Sequence, residues 1–134
     1  MNFGDFGFYN YASVYIVRDD TLSNPDTRAN VKAFMKAEVR GWQDAIADPT
    51  LGAKFTNEKY GKDLGLEPKA QMLAAAEQNK LIVTNDPKRG ILTLDPAVLP
   101  KTIHTLSKLG VDVTEEQLFD TTLMDEVYDG KTSL

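Results

Sequence analysis

Few side chains in this sequence could carry covalent or acid–base chemistry, and those few are scattered. His104 is the single histidine. No acid and nucleophile stand near it, so a surface or packing role suits it better than catalysis. Cysteine is absent, which excludes disulfides, thiolate metal ligands and cysteine nucleophiles. A zinc site wants several His or Cys ligands, so no metal site is expected, and no cofactor. Acidic residues are numerous, but Asp19-Asp20 and Glu115-Glu116 are adjacent in sequence. Such neighbours point in different directions and make no acid/base couple by themselves. Solvated charge and helix capping are their default roles. Gly130-Lys131-Thr132 echoes the end of a phosphate-binding loop, yet the first glycine of that motif would fall at Asp125. Asn85 to Gly90 could form an anion-binding turn with Lys88 and Arg89, and an ordinary exposed turn is the simpler reading. No self-contained catalytic site is visible, and the chain is not expected to be an enzyme.

Binding chemistry is better represented. Residues 1–11, MNFGDFGFYNY, gather Phe3, Phe6, Phe8, Tyr9 and Tyr11 around Gly4 and Gly7. Aromatic faces stack on planar ligands, and a tyrosine hydroxyl adds a hydrogen bond. Asp5 and Asn10 are the polar neighbours. Two readings stay open: the segment packs on the chain's own core, or it lines a ligand cleft or partner surface.

The elements that must position these residues can be read from pattern. Asn24 to Asp48 forms the strongest helix signal. Asn24 can cap it, Pro25 fits the first helical position and Asp26 faces the positive end of the helix dipole. Val31, Met35, Val39, Trp42 and Ile46 recur at helical spacing. Gly41 beside Trp42 suggests close packing against another element. The same polar-then-proline pattern recurs at Asp48-Pro49, Glu67-Pro68 and Asp95-Pro96. Helices are expected over 49–60, ending at Gly61, and over 68–80, with Met72, Leu73 and Ala76 as a modest apolar face. Residues 81–95 suggest irregular structure or a short hairpin about Asn85-Asp86-Pro87. A helix from Pro100 shows Ile103, Leu106 and Leu109 on one face and stops at Gly110. Thr114 and Gln117 match a capping box. The tail after Asp120 reads as polar and loosely held, apart from Leu123, Met124, Val127 and Tyr128.

Ala12 to Arg18, ASVYIVR, is the best strand candidate, rich in β-branched and aromatic residues and closed by Asp19-Asp20. A near-continuous apolar strand is typical of sheets buried on both faces. It is the only strong strand in the sequence, so its partners are expected from outside the chain or from another copy of it.

The length suits one domain or a portion of a larger one. A net charge of −5 argues against nucleic acid, whose footprint is a basic patch. No apolar run approaches the roughly 20 residues of a membrane span. The N-terminus lacks the basic start of a signal peptide. The chain is therefore expected to be either cytoplasmic or a piece whose natural N-terminus lies upstream.

Three stretches together resemble one family: FGFYNYASVYIVRDDTL (6–22), NPDTRANVKAFMKAEVRGWQDAIADP (24–49) and RGILTLDPAVLPKTIHTLSKLG (89–110), with FDTTLMDEVY as a closing segment. Their order is similar to the C-terminal portion of SsuA/ThiY-type substrate-binding proteins of ABC transporters. That resemblance implies a fold class of α/β, mostly helical. The chain would be the C-terminal part of a type II periplasmic-binding-protein-like lobe, with one main crossover strand followed by several helices. Residues 1–134 would form a single partial domain, with the aromatic segment and crossover strand over 1–22 and the helical part over 23–134.

The resemblance also implies a function. The complete protein would be the solute-binding component of an importer, working by interlobe closure. Its ligand would be a small aromatic or heterocyclic nutrient such as a thiamine pyrimidine precursor, or a sulfonate- or nitrate-type solute. Its partners would be that ligand and an ABC permease, and its location periplasmic or extracytoplasmic. Phe6, Tyr9 and Tyr11 fall where a cleft edge is expected, with Asp5 and Asn10 beside them. The alternatives are part of a thiamine-pyrimidine synthase-like enzyme of the same fold, and a helical self-associating module without ligand. An isolated chain is expected to form a homo-oligomer, with its unpaired strand covered.

Overall fold

Asn24 begins the longest helix as its chemistry requires. In the computed structural model, which describes residues 3–11, 13–83, 86 and 88–134, the Asn24 side chain accepts the backbone N–H groups of Asp26 at 2.9 Å and Thr27 at 3.3 Å. Two of the orphan donors at the helix start are thereby satisfied. The helix, α2, runs Pro25–Ala47 and follows a short helix, α1, at Asp19–Ser23. The Thr27 hydroxyl donates back to the Thr21 carbonyl at 2.6 Å and fixes the corner between them.

The polar-proline pattern works twice more as a helix start. Asp48 caps α3 (Pro49–Phe55) by accepting the Thr50 N–H at 2.9 Å, and Glu67 caps α4 (Pro68–Ile82) by accepting those of Lys69 and Ala70. α3 continues into a π-helical turn, Thr56–Tyr60, which stops at Gly61. At Asp95-Pro96 the pair opens a turn instead, and α5 (Leu99–Lys108) follows it. α5 ends at Gly110, whose φ of +81° suits glycine. There the Val111 N–H reaches the Leu106 carbonyl, a Schellman closure. Thr114 and Gln117 form the expected capping box at the start of α6 (Glu115–Leu118).

The core lies where α2 meets the last helix, α7 (Thr122–Tyr128). Met35 and Val39 of α2 are buried with Leu123, Val127 and Tyr128 of α7, and Val31, Leu92 and Met124 pack around them. Val39 and Val127 are closed off from solvent, each burial stabilising by about 1.5–3 kcal/mol. The tail is therefore a core element rather than a loose end. Arg28 locks it down: its guanidinium donates to Asp120, Thr122 and Glu126 at 2.7–3.0 Å. A second layer is the α3–α4 pair against the C-terminal half of α2.

Several expectations are corrected. The described residues are mostly helical and contain no strand. The run expected as a crossover strand shows no regular structure over 13–18 (Ala12 lies outside the described residues), and Asp19-Asp20 opens a helix. A strand exists only against a partner ladder, and none of the described residues supplies one. Val14, Tyr15 and Ile16 are consequently exposed, Ile16 to 92%. No hairpin forms among the described residues of 81–95: Leu81 and Ile82 close α4, while Asn85 and Pro87 lie outside the described residues. Gly41 packs against nothing, since a Cβ there would meet open space. On α4 the buried side chain is Asn79, while Met72 and Leu73 face solvent. On α5 the buried residues are Leu99, Thr102 and Thr105, and Leu109 is exposed. Position along a helix decides burial here, and the neighbours α3 and the N-terminal segment cover faces that are not the most apolar.

Candidate functional site

Tyr11 is the best anchored of the N-terminal aromatics. The Asp95 N–H donates to its hydroxyl at 2.9 Å, and its ring meets Phe119 edge-on at 6.0 Å. Burial pushes the phenol pKa up, the Asp95 N–H opposes that shift, and the nearby Asp95 carboxylate reinforces it. The hydroxyl therefore stays protonated and neutral around pH 7. Tyr9 lies against α5, where its N–H donates to the Thr105 hydroxyl at 3.2 Å and Lys101 stands 4.9 Å above its ring. That ammonium-over-ring geometry is a cation–π contact.

Phe6 and Asp5 sit in a single 3₁₀ turn, Phe3–Phe6, which buries nothing. Phe6 is 71% exposed, and Asn10 is exposed as well. The five expected site residues thus form a strip: Tyr9 and Tyr11 are held to α5 and the Asp95 turn, while Asp5, Phe6 and Asn10 face outward.

Two concavities lie elsewhere. One, of about 470 Å³, is polar and surrounds Arg89, with Asp86, Thr93 and Asp95 in its walls. It touches the aromatic strip only through Asp95. Arg89 Nη2 donates within its own loop, to the Thr93 hydroxyl and the Leu94 carbonyl, and Nη1 is 3.6 Å from the Asp95 carboxylate. A guanidinium already paired in this way is a poor anion receptor, which disfavours an anion-binding turn here.

The other is an open groove of about 400 Å³ between α2, α3 and α4. Ala37, Gly41 and Ala45 step along α2 at intervals of four, and Ala74 and Ala75 face them from α4. Trp42 provides the one aromatic wall. Glu38, on the rim, accepts the Tyr15 hydroxyl at 2.7 Å, and the Tyr15 ring meets Phe34 edge-on at 5.9 Å. Burial, then the Glu38 carboxylate, raise the Tyr15 pKa. Sequence reasoning missed this groove. Its signal is the set of small residues spaced by four on α2, Ala37, Gly41 and Ala45.

His104 is exposed on α5, and no group of three or more metal-ligating side chains converges among the described residues. No helix among them is long and apolar enough to cross a membrane. No known protein family, curated protein or solved structure matches the chain.

Proposed function

We propose that residues 1–134 are the C-terminal portion of a two-lobe solute-binding protein of the SsuA/ThiY type, serving an ABC importer outside the cytoplasm. In this reading residues 12–18 are the crossover strand of an α/β lobe whose other strands lie outside the chain. The observation that carries it is the exposed run Val14–Ile16. It is β-branched and aromatic in sequence, unpaired, and tethered to α2 through Tyr15 and Glu38. A strand in search of a sheet has this character. The ordered similarity of the three longer stretches supports the same reading.

The mechanism is binding with hinge closure. Phe6, Tyr9 and Tyr11 would offer ring faces to a small aromatic or heterocyclic solute, with Asp5 and Asn10 as polar partners, and α5 and the Asp95 turn would hold the Tyr9–Tyr11 end of that edge. Closure of the second lobe would bury the solute and present the closed form to a permease. A sulfonate- or nitrate-type solute is the other class that the resemblance implies.

Calorimetric titration of the full gene product with an aminopyrimidine, an alkylsulfonate and nitrate tests the proposal. One class should give a saturable heat with the full product, and residues 1–134 alone should give none. Tight binding by residues 1–134 alone, or no binding by the full product, would overturn it.

A further inference from the structure

Phe34, Glu38 and Trp42 are spaced by four on α2, so their side chains stand in one row along the helix. Tyr15 lies across that row. Its hydroxyl donates to Glu38 Oε2 at 2.7 Å, its ring meets Phe34 edge-on at 5.9 Å, and the Trp42 indole N–H bears on the same hydroxyl. Three aromatic side chains thus gather about one carboxylate. Glu38 is partly buried, and no lysine or arginine among the described residues pairs with it. A carboxylate offers about four acceptor sites, so the Tyr15 hydroxyl leaves most of its capacity open. The Tyr15 and Phe34 rings are themselves about half exposed.

The chemistry of this corner selects a class of ligand. It opens on the groove of about 400 Å³ between α2, α3 and α4, which Glu38 and Trp42 both line. That volume suits a small molecule. Glu38 is the only charged residue in the lining, and the net charge of −5 favours the approach of cations. An anion is disfavoured for the same reasons. One carboxylate is too few ligands for a calcium or magnesium ion, which wants several oxygens. A methylated ammonium group needs no such set, because aromatic faces attract it directly. Ala37 and Gly41 leave room beside the rings, and Gln71 and Gln78 of α4 offer amides to a polar tail. Sheet partners of residues 12–18 would pair with backbone groups, so they leave the Tyr15 side chain on Phe34 and Glu38.

We propose that Tyr15, Phe34, Glu38 and Trp42 form a binding site for a small methylated ammonium compound, its cationic head between the rings and the carboxylate and its tail in the α2–α4 groove. The proposal uses none of the residues assigned above to the solute edge and does not rest on the solute-binding reading.

Trp42 is the only tryptophan of the chain, so its emission reports on the site. Choline added to residues 1–134 should change that emission saturably, with a dissociation constant of about 0.1–1 mM. The neutral isostere, in which carbon replaces the ammonium nitrogen, should bind about tenfold more weakly or less. Glu38→Gln and Phe34→Leu should each weaken choline binding by about three- to tenfold, with far-UV circular dichroism unchanged. Phe55→Leu, at an exposed aromatic of α3 outside the lining, should leave binding as it is. Equal binding of the neutral isostere, indifference to both site variants, or no saturable response by about 10 mM choline overturns the proposal. So does a response to phosphatidylcholine vesicles without one to free choline, which would assign the rings to a lipid surface. Titrations with aminopyrimidine, alkylsulfonate and nitrate read a different site, so either idea can fail alone.

Discussion

The Asn79 side-chain amide of α4 donates to the Ala45 carbonyl of α2 at 2.7 Å. That carbonyl belongs to the last turn of α2, where carbonyls lack intrahelical donors. Asp48 has already left helical geometry, with φ −132° and ψ 92°, and the next residue, Pro49, has no N–H to offer. The proline that starts α3 thus helps create the vacancy that α4 fills. Asn79→Leu keeps much of the volume and removes the donor. It should cost about 1–3 kcal/mol. The urea midpoint should fall with little change in slope; an unchanged midpoint would show that the bond does not hold α4 in place.

Gly90 lies so close to Tyr128 that a Cβ there would overlap the ring. The Tyr128 hydroxyl donates to the Ile91 carbonyl at 2.9 Å, so ring and loop are fixed together. Gly90→Ala should destabilise by about 1–3 kcal/mol through overpacking. Tyr128→Phe removes only the hydroxyl and should cost about 1 kcal/mol. Gly90→Ala combined with Tyr128→Leu should be less damaging than the sum of the two, because the smaller side chain relieves the overlap. Thermal unfolding of the single and double variants reads this coupling, and strict additivity would refute it.

Local chemistry in this chain was legible, and non-local chemistry was not. Asn24, Asp48, Glu67 and Thr114 cap helices through atoms within three residues of themselves. The sequence carries that information completely. Leu123, Met124, Val127 and Tyr128 stand out in sequence against a polar tail, but their place in the core depends on Met35 and Val39, far away in the chain. Asn79 was unremarkable until Ala45 and Pro49 were placed beside it. At Val14–Ile16 the pattern read as a strand, but pairing is not a property of one segment. Among the expected site residues, Tyr11 and Tyr9 stand out in sequence as aromatics, and their anchoring by Asp95 and Thr105 follows only from tertiary placement.

Arg28 spans Asp120 and Glu126 from α2 and is itself only 20% exposed. Exposed pairs are worth about 1 kcal/mol at most, and this multiply bonded one should be worth about 1–2 kcal/mol. Arg28→Met, which keeps the stem, should therefore loosen α7 selectively. Amide exchange over 122–128 should quicken more than in α4. Burial by itself would push the Asp120 carboxyl up, but the Thr122 hydroxyl, Arg28 and backbone N–H groups outweigh it and hold the pKa below its usual value. A carboxylate depressed by folding stabilises above the ordinary aspartate pKa of about 3.9, and that contribution is lost as pH falls through the folded value. Acid should thus release α7 below about pH 4, and Asp120→Asn should flatten that dependence. Exchange in α7 that ignores both pH and Arg28 would remove the latch from the account.

Phe6 and Tyr11 separate ligand contact from anchoring within the aromatic segment. Phe6 is largely exposed and buries nothing, so Phe6→Ala should change folding stability by less than about 0.5 kcal/mol. If its ring stacks on solute in the full gene product, the same variant should weaken binding by about two- to tenfold. Tyr11→Phe has the opposite signature. It takes away the acceptor for the Asp95 N–H while keeping the ring on Phe119, and should cost about 1 kcal/mol of stability. Its effect on binding should be smaller than that of Phe6→Ala, because the ring face remains. Denaturation midpoints and titration heats measured on both variants resolve the two roles. If Phe6→Ala lowers stability and leaves binding intact, the aromatic segment is a packing device, and the cleft edge must be sought elsewhere.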